Sequence, residues 1–148
     1  MNVSEKMFEQ LFTEFLTSKD TLRIYDGDSL IFSSEKEKLM PLLEYLGGPG
    51  SRHRNVTIFD KVMGNAAALL SVKAGCREVW SPLGSRLAIK TLDKYKIARH
   101  LNTIVPYITQ ADGKSMCPME KLSLDKEPEE FYLILQAPSR AGAPADSC

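Results

Sequence analysis

The chain has 148 residues, 43% of them hydrophobic and 26% charged, with nineteen basic and nineteen acidic side chains. That is the range of one globular domain able to bury a core, and the cancelled charge excludes a global field that would draw the protein to nucleic acid or anionic lipid. No apolar run approaches the roughly 18 residues a membrane span needs, and Glu5 and Glu9 stand where a signal peptide would carry a basic flank and an apolar stretch, so a cytoplasmic location is expected.

From Val3 to Ser18 the residues Met7, Phe8, Leu11, Phe12, Phe15 and Leu16 recur at three- and four-residue steps, which predicts a helix with one apolar face. Leu22 and Ile24, then Leu30 and Phe32, flank Asp26-Gly27 in the pattern of a β-hairpin with a glycine-permitted turn. A short helix follows, with Leu39, Leu42, Leu43 and Leu46 inward, Ser34 as its cap, Pro41 near its first turn and Gly47-Gly48 as its stop. Gly, Pro and charge concentrate from Gly47 to Asn55, as in a loop.

Residues 56–59 read as a short extended entry to a helix from about Asp60 to Ala74, ended by Gly75. The lean run Gly64-Asn65-Ala66-Ala67-Ala68 in it invites close approach of a neighbour. Cys76–Trp80 reads as a strand, Ser81–Tyr95 as a turn and a helix, and Asn102–Thr109 as another strand. A turn at Ala111–Ser115, a short helix from Pro118 and a helix over Pro128–Gln136 complete the series. A hairpin followed by helix, strand, helix, strand and terminal helices predicts an α/β fold, a three-layer α/β/α sandwich with a mixed sheet and helices on both faces. One domain over residues 1–136 is expected, with a disordered tail over 137–148 whose small residues and prolines suit neither element.

Three regions carry candidate chemistry. If Asp60 caps the helix, Lys61 falls in its first turn, where a cation opposes the macrodipole. It would then pair with Asp60 or share the helix end with an anionic ligand. Ser81, Gly84, Ser85 and Arg86 lie between a strand and a helix, where backbone N–H and hydroxyl groups can cradle a phosphate or carboxylate, or serve as an ordinary connection. Cys117 precedes Pro118, which makes it an N-cap with Glu120 folding back in a capping box. A thiol so placed has its pKa lowered and can become a nucleophile, yet free cysteine is also among the most buried residue types. The three cysteines, Cys76, Cys117 and Cys148, are an odd number without C-x-x-C spacing and are read as thiols. Trp80, at a strand end, can stack on a base or sit in the core.

The order of elements, with Ser-Pro-x-Gly at residues 81–84 leading into a helix, resembles the cytidine-deaminase-like fold. There the resemblance implies Pro-Cys-x-x-Cys at that helix and His-Ala-Glu or Cys-Ala-Glu at the preceding one, which together bind zinc and move protons. Here Pro82 matches the proline, but Leu83 and Arg86 occupy the cysteine positions. Aligned by its Asn-Ala end, the first motif puts Lys61 at the ligand position and Met63 at the glutamate. No metal ligand set is therefore expected and no cofactor. Asp60–Ala68, with Asp-Lys-x-x-Gly-x-Ala-Ala-Ala, and Cys117–Glu120, with Cys-Pro-Met-Glu, more specifically resemble domain of unknown function 1893, over roughly Thr21–Gln136. That resemblance implies the fold and a place to look, and no reaction.

The leading expectation is a module that binds a small anionic or nucleotide-like molecule through Gly64, Asn65, Ser81, Gly84, Ser85, Arg86 and Glu120, near Asp60, Lys61 and Cys117. The alternative is a hydrolase or transferase on a nucleotide-related substrate that uses Cys117 or Lys61 covalently, or Asp60 and Lys61 for acid–base work. Self-association through the sheet edge or the N-terminal helix is a third reading, and neither a membrane nor nucleic acid is an expected partner.

Overall fold

The computed structural model describes residues 3–137. Residues 138–148, and with them the expected tail, lie outside it. The elements run α1 (Val3–Thr17), β1 (Leu22–Asp26), β2 (Ser29–Ser34), α2 (Met40–Leu46), a 3-10 turn (Pro49–Arg52), β3 (Val56–Asp60), α3 (Asn65–Lys73), β4 (Cys76–Ser85), α4 (Arg86–Lys94), β5 (Ala98–Val105), α5 (Pro118–Ser123) and α6 (Pro128–Gln136). The five strands form one mixed sheet in the order β2-β1-β3-β4-β5. β1 is antiparallel to both neighbours, whereas β3, β4 and β5 are parallel.

That order sets the layers. Two successive crossovers, β3 to β4 and β4 to β5, step the same way across the sheet, and crossovers of one hand then put both helices on one face. There α3 and α4 touch each other, and α2, α5 and α6 pack around α3. The other face is left to α1. Strand alternation divides the side chains accordingly. Ile24, Ile58 and Val79 point into the larger core with Leu42, Leu69 and Phe131, while Tyr25, Phe59 and Trp80 meet Phe8, Phe12 and Phe15 of α1. The architecture is the expected three-layer α/β/α sandwich.

Phe59 is the hub of the α1 face, completely buried, with five aromatic neighbours at centroid separations of 5.1–6.1 Å. Leu16, expected on the apolar face of α1, is 37% exposed, because one residue beyond Phe15 it falls at the edge of the face that Phe8, Phe12 and Phe15 bury. Trp80 lies inside this cluster and stacks on the His100 ring at 3.8 Å, so it is a core tryptophan.

Three local expectations fail where pairing across the sheet overrides local propensity. Ser34 does not cap α2. It ends β2, with its carbonyl accepting from Thr21 N–H, and the helix starts at Met40 because Pro41 fits only its first turn. Asp60 does not cap α3 either. It pairs opposite Leu22 as the last residue of β3, and Lys61 N–H continues to the Thr21 carbonyl, which delays the helix to Asn65. The Ser81–Ser85 stretch is strand, not turn. It pairs residue by residue with Leu101–Val105 on one side, skipping Pro82, and brackets Met63 on the other. Pro82 has no N–H to offer the ladder, and the Ser81 hydroxyl fills in by donating to the Leu83 carbonyl. The helix predicted to stop at Gly75 does so, with Lys73 its last residue and Gly75 at φ +75°.

Replacing Phe59 by alanine should cost about 3–5 kcal/mol by urea denaturation, the range for deleting a large core aromatic. Leu133→Ala, at a residue 58% exposed, should stay within about 0.5 kcal/mol. Equal losses for the two would remove Phe59 from the centre of the α1 face.

Candidate functional site

Where β3 ends and α3 begins, the sheet leaves a cleft of about 190 Å³. Such a position, at the carboxyl end of a strand where the chain's pairing changes direction, is the usual ligand crevice of α/β sheets. Its floor is Asp60, Lys61, Val62 and Gly64 with Ala66 and Ala67 of α3. Thr21 and Glu37–Leu39 form one wall, and Ile108, Cys117, Met119 and Glu120 form the other.

Glu120 closes the second wall. It is 2% exposed, and both of its carboxylate oxygens are occupied, Oε1 by Asn65 N–H and Oε2 by Ile108 N–H at 2.9 Å. Asn65 is the first residue of α3, so the acid neutralises one of the donors a helix start leaves bare and sits at the positive end of the dipole. Glu120 therefore does not fold back onto its own helix. The capping box lies one helix later, at Glu127 and Glu130. Gly64 exists for the same contact, since a Cβ there would stand 3.0 Å from Glu120 Oε1 and 2.9 Å from Ile108 Cγ1. The lean run does admit a close neighbour, as its composition suggested.

Asp60 and Lys61 are parted by the alternation of the strand. Phe59 and Lys61 face α1, and Lys61 Nζ donates to the Ser18 carbonyl at 3.1 Å over the Phe15 ring, where a cation suits the negative end of α1. Asp60 points the other way, into the cleft, so the two do not pair as expected from a shared helical turn. Asp60 is 8% exposed, and one hydrogen bond reaches it, from Val62 N–H to Oδ1 at 3.3 Å. Burial raises its pKa to about 7, against the opposing pull of the Val62 and Lys61 amides.

Cys117 reaches the same cleft at 2% exposure and is the N-cap residue of α5, with Pro118 in the first turn. It is disulfide-bonded, so it is not the free thiol that its spacing suggested. Cys76 is a free, buried thiol, pushed up to about 12 chiefly by desolvation.

Residues 12–137 match the family described as a domain of unknown function, DUF1893. The chain belongs to the DUF1893 family. It is also similar to the crystal structure of a DUF1893 family protein from Thermotoga maritima, at 28% identity over 92% of each chain, with a TM-score of 0.78. No curated protein matches it. In this DUF1893 chain the two blocks that carry the family resemblance, Asp60–Ala68 and Cys117–Glu120, are far apart in sequence and meet in the cleft.

The other candidates lie elsewhere. Ser81 is spent on Leu83, and Ser85 caps α4 by accepting from Ala88 N–H. Gly84 is a packing glycine, whose Cβ would come within 2.6 Å of Leu101 Cδ1, and Arg86 is exposed at the start of α4. None of the four lines the cleft. Asn65 is a structural node: its amide donates to the Ser123 carbonyl and hydroxyl, and its Oδ1 accepts from Thr91. Thr21 and Ile108 carry no periodic or motif signal, being a hydroxyl and an apolar residue in connections, whereas Met119 belongs to the Cys-Pro-Met-Glu block. Among the described residues no three His, Cys, Asp or Glu side chains gather as a metal site would need, and no helix is long and apolar enough to cross a membrane.

Two measurements follow from this geometry. The folded pKa of Asp60 lies above its unfolded value of about 3.8, so the native state holds the proton more tightly. Stability is greatest below that lower value and falls as pH rises to about 7, by up to about 4 kcal/mol at 1.36 kcal/mol per pKa unit. Urea midpoints from pH 4.5 to 8.5 should decline in the wild type and lose most of that slope in Asp60→Asn; identical slopes would refute the assignment. Glu120→Ala should cost about 2–5 kcal/mol by stranding two buried donors and should abolish amide-exchange protection at Asn65 and Ile108 first.

Proposed function

We propose that this DUF1893 chain is a binding module that holds a small nucleotide-like molecule by its base in the cleft at the start of α3. We further propose that its sheet is of the deaminase-like kind, with that fold's catalytic metal positions given to other tasks. The observation that carries the reading is the meeting of Asp60, Gly64, Cys117 and Glu120, singled out in sequence for their chemistry, around one cavity at the carboxyl end of β3. First-turn N–H groups of a helix have no intrahelical acceptor, and Ala66 and Ala67 bring that part of α3 to the cleft without side chains in the way.

Of the two ligand types expected, the base-like one is better supported than the anion. The cation that would have met an anion, Lys61, is engaged with α1, and the buried acidic groups left in the cleft are the carboxyls of Asp60 and Glu120. The positions that would hold zinc in the deaminase motif do not fit the metal: Lys61 serves α1, Leu83 continues the β4 ladder and Arg86 faces outward. A second reading rests on Asp60 alone. A buried carboxyl that titrates near 7 has the property required of a general acid or base at neutral pH, so acid–base chemistry on the bound molecule is the surviving enzymatic alternative. Covalent routes lose support, since the Lys61 amine is turned away and Cys117 is disulfide-bonded.

Titrating the isotope-labelled full chain with uridine and with uridine 5′-monophosphate should move amide resonances of residues 60–67, 108 and 117–120 and few others. Ala67→Leu, which fills the floor, should weaken both at least tenfold while the remaining spectrum stays that of a folded chain. Absence of binding by either probe, or shifts centred elsewhere, would overturn the reading.

A further inference from the structure

The cleft is specific about size. At about 190 Å³ it is slightly larger than the roughly 150 Å³ cavity that accepts a benzene ring in an engineered protein core. One six-membered ring with a few substituents fills it, and a sugar or phosphate attached to that ring would extend through the mouth. Leu39, Val62, Ala66, Ala67, Ile108 and Met119 supply apolar walls for such a ring.

Its polar groups are specific as well, because nearly all of them are committed. Glu120 uses both oxygens on backbone donors. Lys61 faces α1. Glu37 and Lys38 are exposed at the mouth, and α3 contributes no titratable side chain to the lining. Asp60 is the exception: Oδ1 holds one long bond from Val62 N–H, and the Lys61 amide that also acts on the carboxyl is spent on the Thr21 carbonyl. A carboxylic acid presents an O–H and a carbonyl side by side, the complement of a ring edge carrying a carbonyl next to an N–H. A carboxylate or phosphate in the same place would face Asp60 and Glu120 with nothing buried to neutralise it.

Accepting the binding reading above, we propose that the cleft selects a neutral single ring with a cyclic-amide edge, held by two hydrogen bonds to the protonated carboxyl of Asp60. The acid donates from Oδ2 to the ring carbonyl, and Oδ1 accepts from the ring N–H beside its bond from Val62. Burial keeps that protonated form available at neutral pH, and selectivity comes from the donor–acceptor pair, since a site built to hydrogen-bond rejects an analogue that leaves its groups unpaired.

The experiment compares 2-pyridone, N-methyl-2-pyridone, benzoate and inorganic phosphate on the full-length chain, with affinity read from the cleft resonances between pH 5 and 9. 2-Pyridone should bind and its N-methyl derivative at least tenfold more weakly. Affinity for 2-pyridone should fall about tenfold per unit once pH exceeds the Asp60 pKa, the slope of a single required proton. Asp60→Asn, which keeps a donor and an acceptor, should bind with no such slope, and Asp60→Leu should lose the preference over the N-methyl compound. Equal binding of the two pyridones, or tighter binding of benzoate or phosphate, would overturn the inference while leaving the cleft reading intact if uridine 5′-monophosphate still binds there. Failure of 2-pyridone and both uridine probes together would overturn both.

Discussion

The carboxylate of Glu120 is the contact on which the helical layer closes. It joins three pieces of chain at one point: the start of α3, the connection after β5 and the short α5. A buried acid is costly unless its oxygens are satisfied, and here both accept from amides that would otherwise be stranded. Carboxylate and donors therefore require each other. The requirement extends to Gly64, the only residue type that lets the acid come so near the helix start, and to Asn65, whose side chain fastens the same junction to Thr91 and Ser123. Any looser arrangement would leave the cleft without its second wall.

The sheet supplies the floor by a different logic. Because the parallel crossovers place their helices together on one face, the other face has a single cover, and α1 must be strongly aromatic to serve alone. Phe8, Phe12 and Phe15 answer that need against Tyr25, Phe59 and Trp80. Lys61 fastens the end of this cover to the strand that forms the cleft floor. Neighbouring residues of one strand thus serve two layers, Lys61 holding α1 and Asp60 facing the cavity, and a chain neutral overall concentrates its buried carboxyls on one side of the sheet.

Much of this was legible in the residues. Apolar periodicity located α1 and the hairpin, and Gly75 marked the end of α3. Asp60, Gly64, Cys117 and Glu120 stood out from their local chemistry and do meet in space. What misled was treating short polar motifs as self-contained. Asp60 has the composition of a cap and Ser81–Ser85 that of a turn, but backbone pairing with Leu22, Met63 and β5 extends both into strands. Glu120 has the spacing of a capping box, yet donors 12 and 55 positions away in sequence take its oxygens. Long-range pairings of this kind leave no periodic trace, and alternation alone decided that adjacent Asp60 and Lys61 would never meet.

The stack of Trp80 on His100 has a spectroscopic consequence. Trp80 is the sole tryptophan of the chain, and its ring lies beneath α1 while its indole N–H finds no acceptor among the described residues. Its emission therefore reports on one layer of the sandwich only. Loosening of α1 would expose the indole and shift its fluorescence to the red, whereas events confined to the α3 side of the sheet would leave it dark to the observer. Compared with far-ultraviolet circular dichroism, which sees every helix, that single fluorophore separates the fate of the α1 cover from that of the layer that builds the cleft.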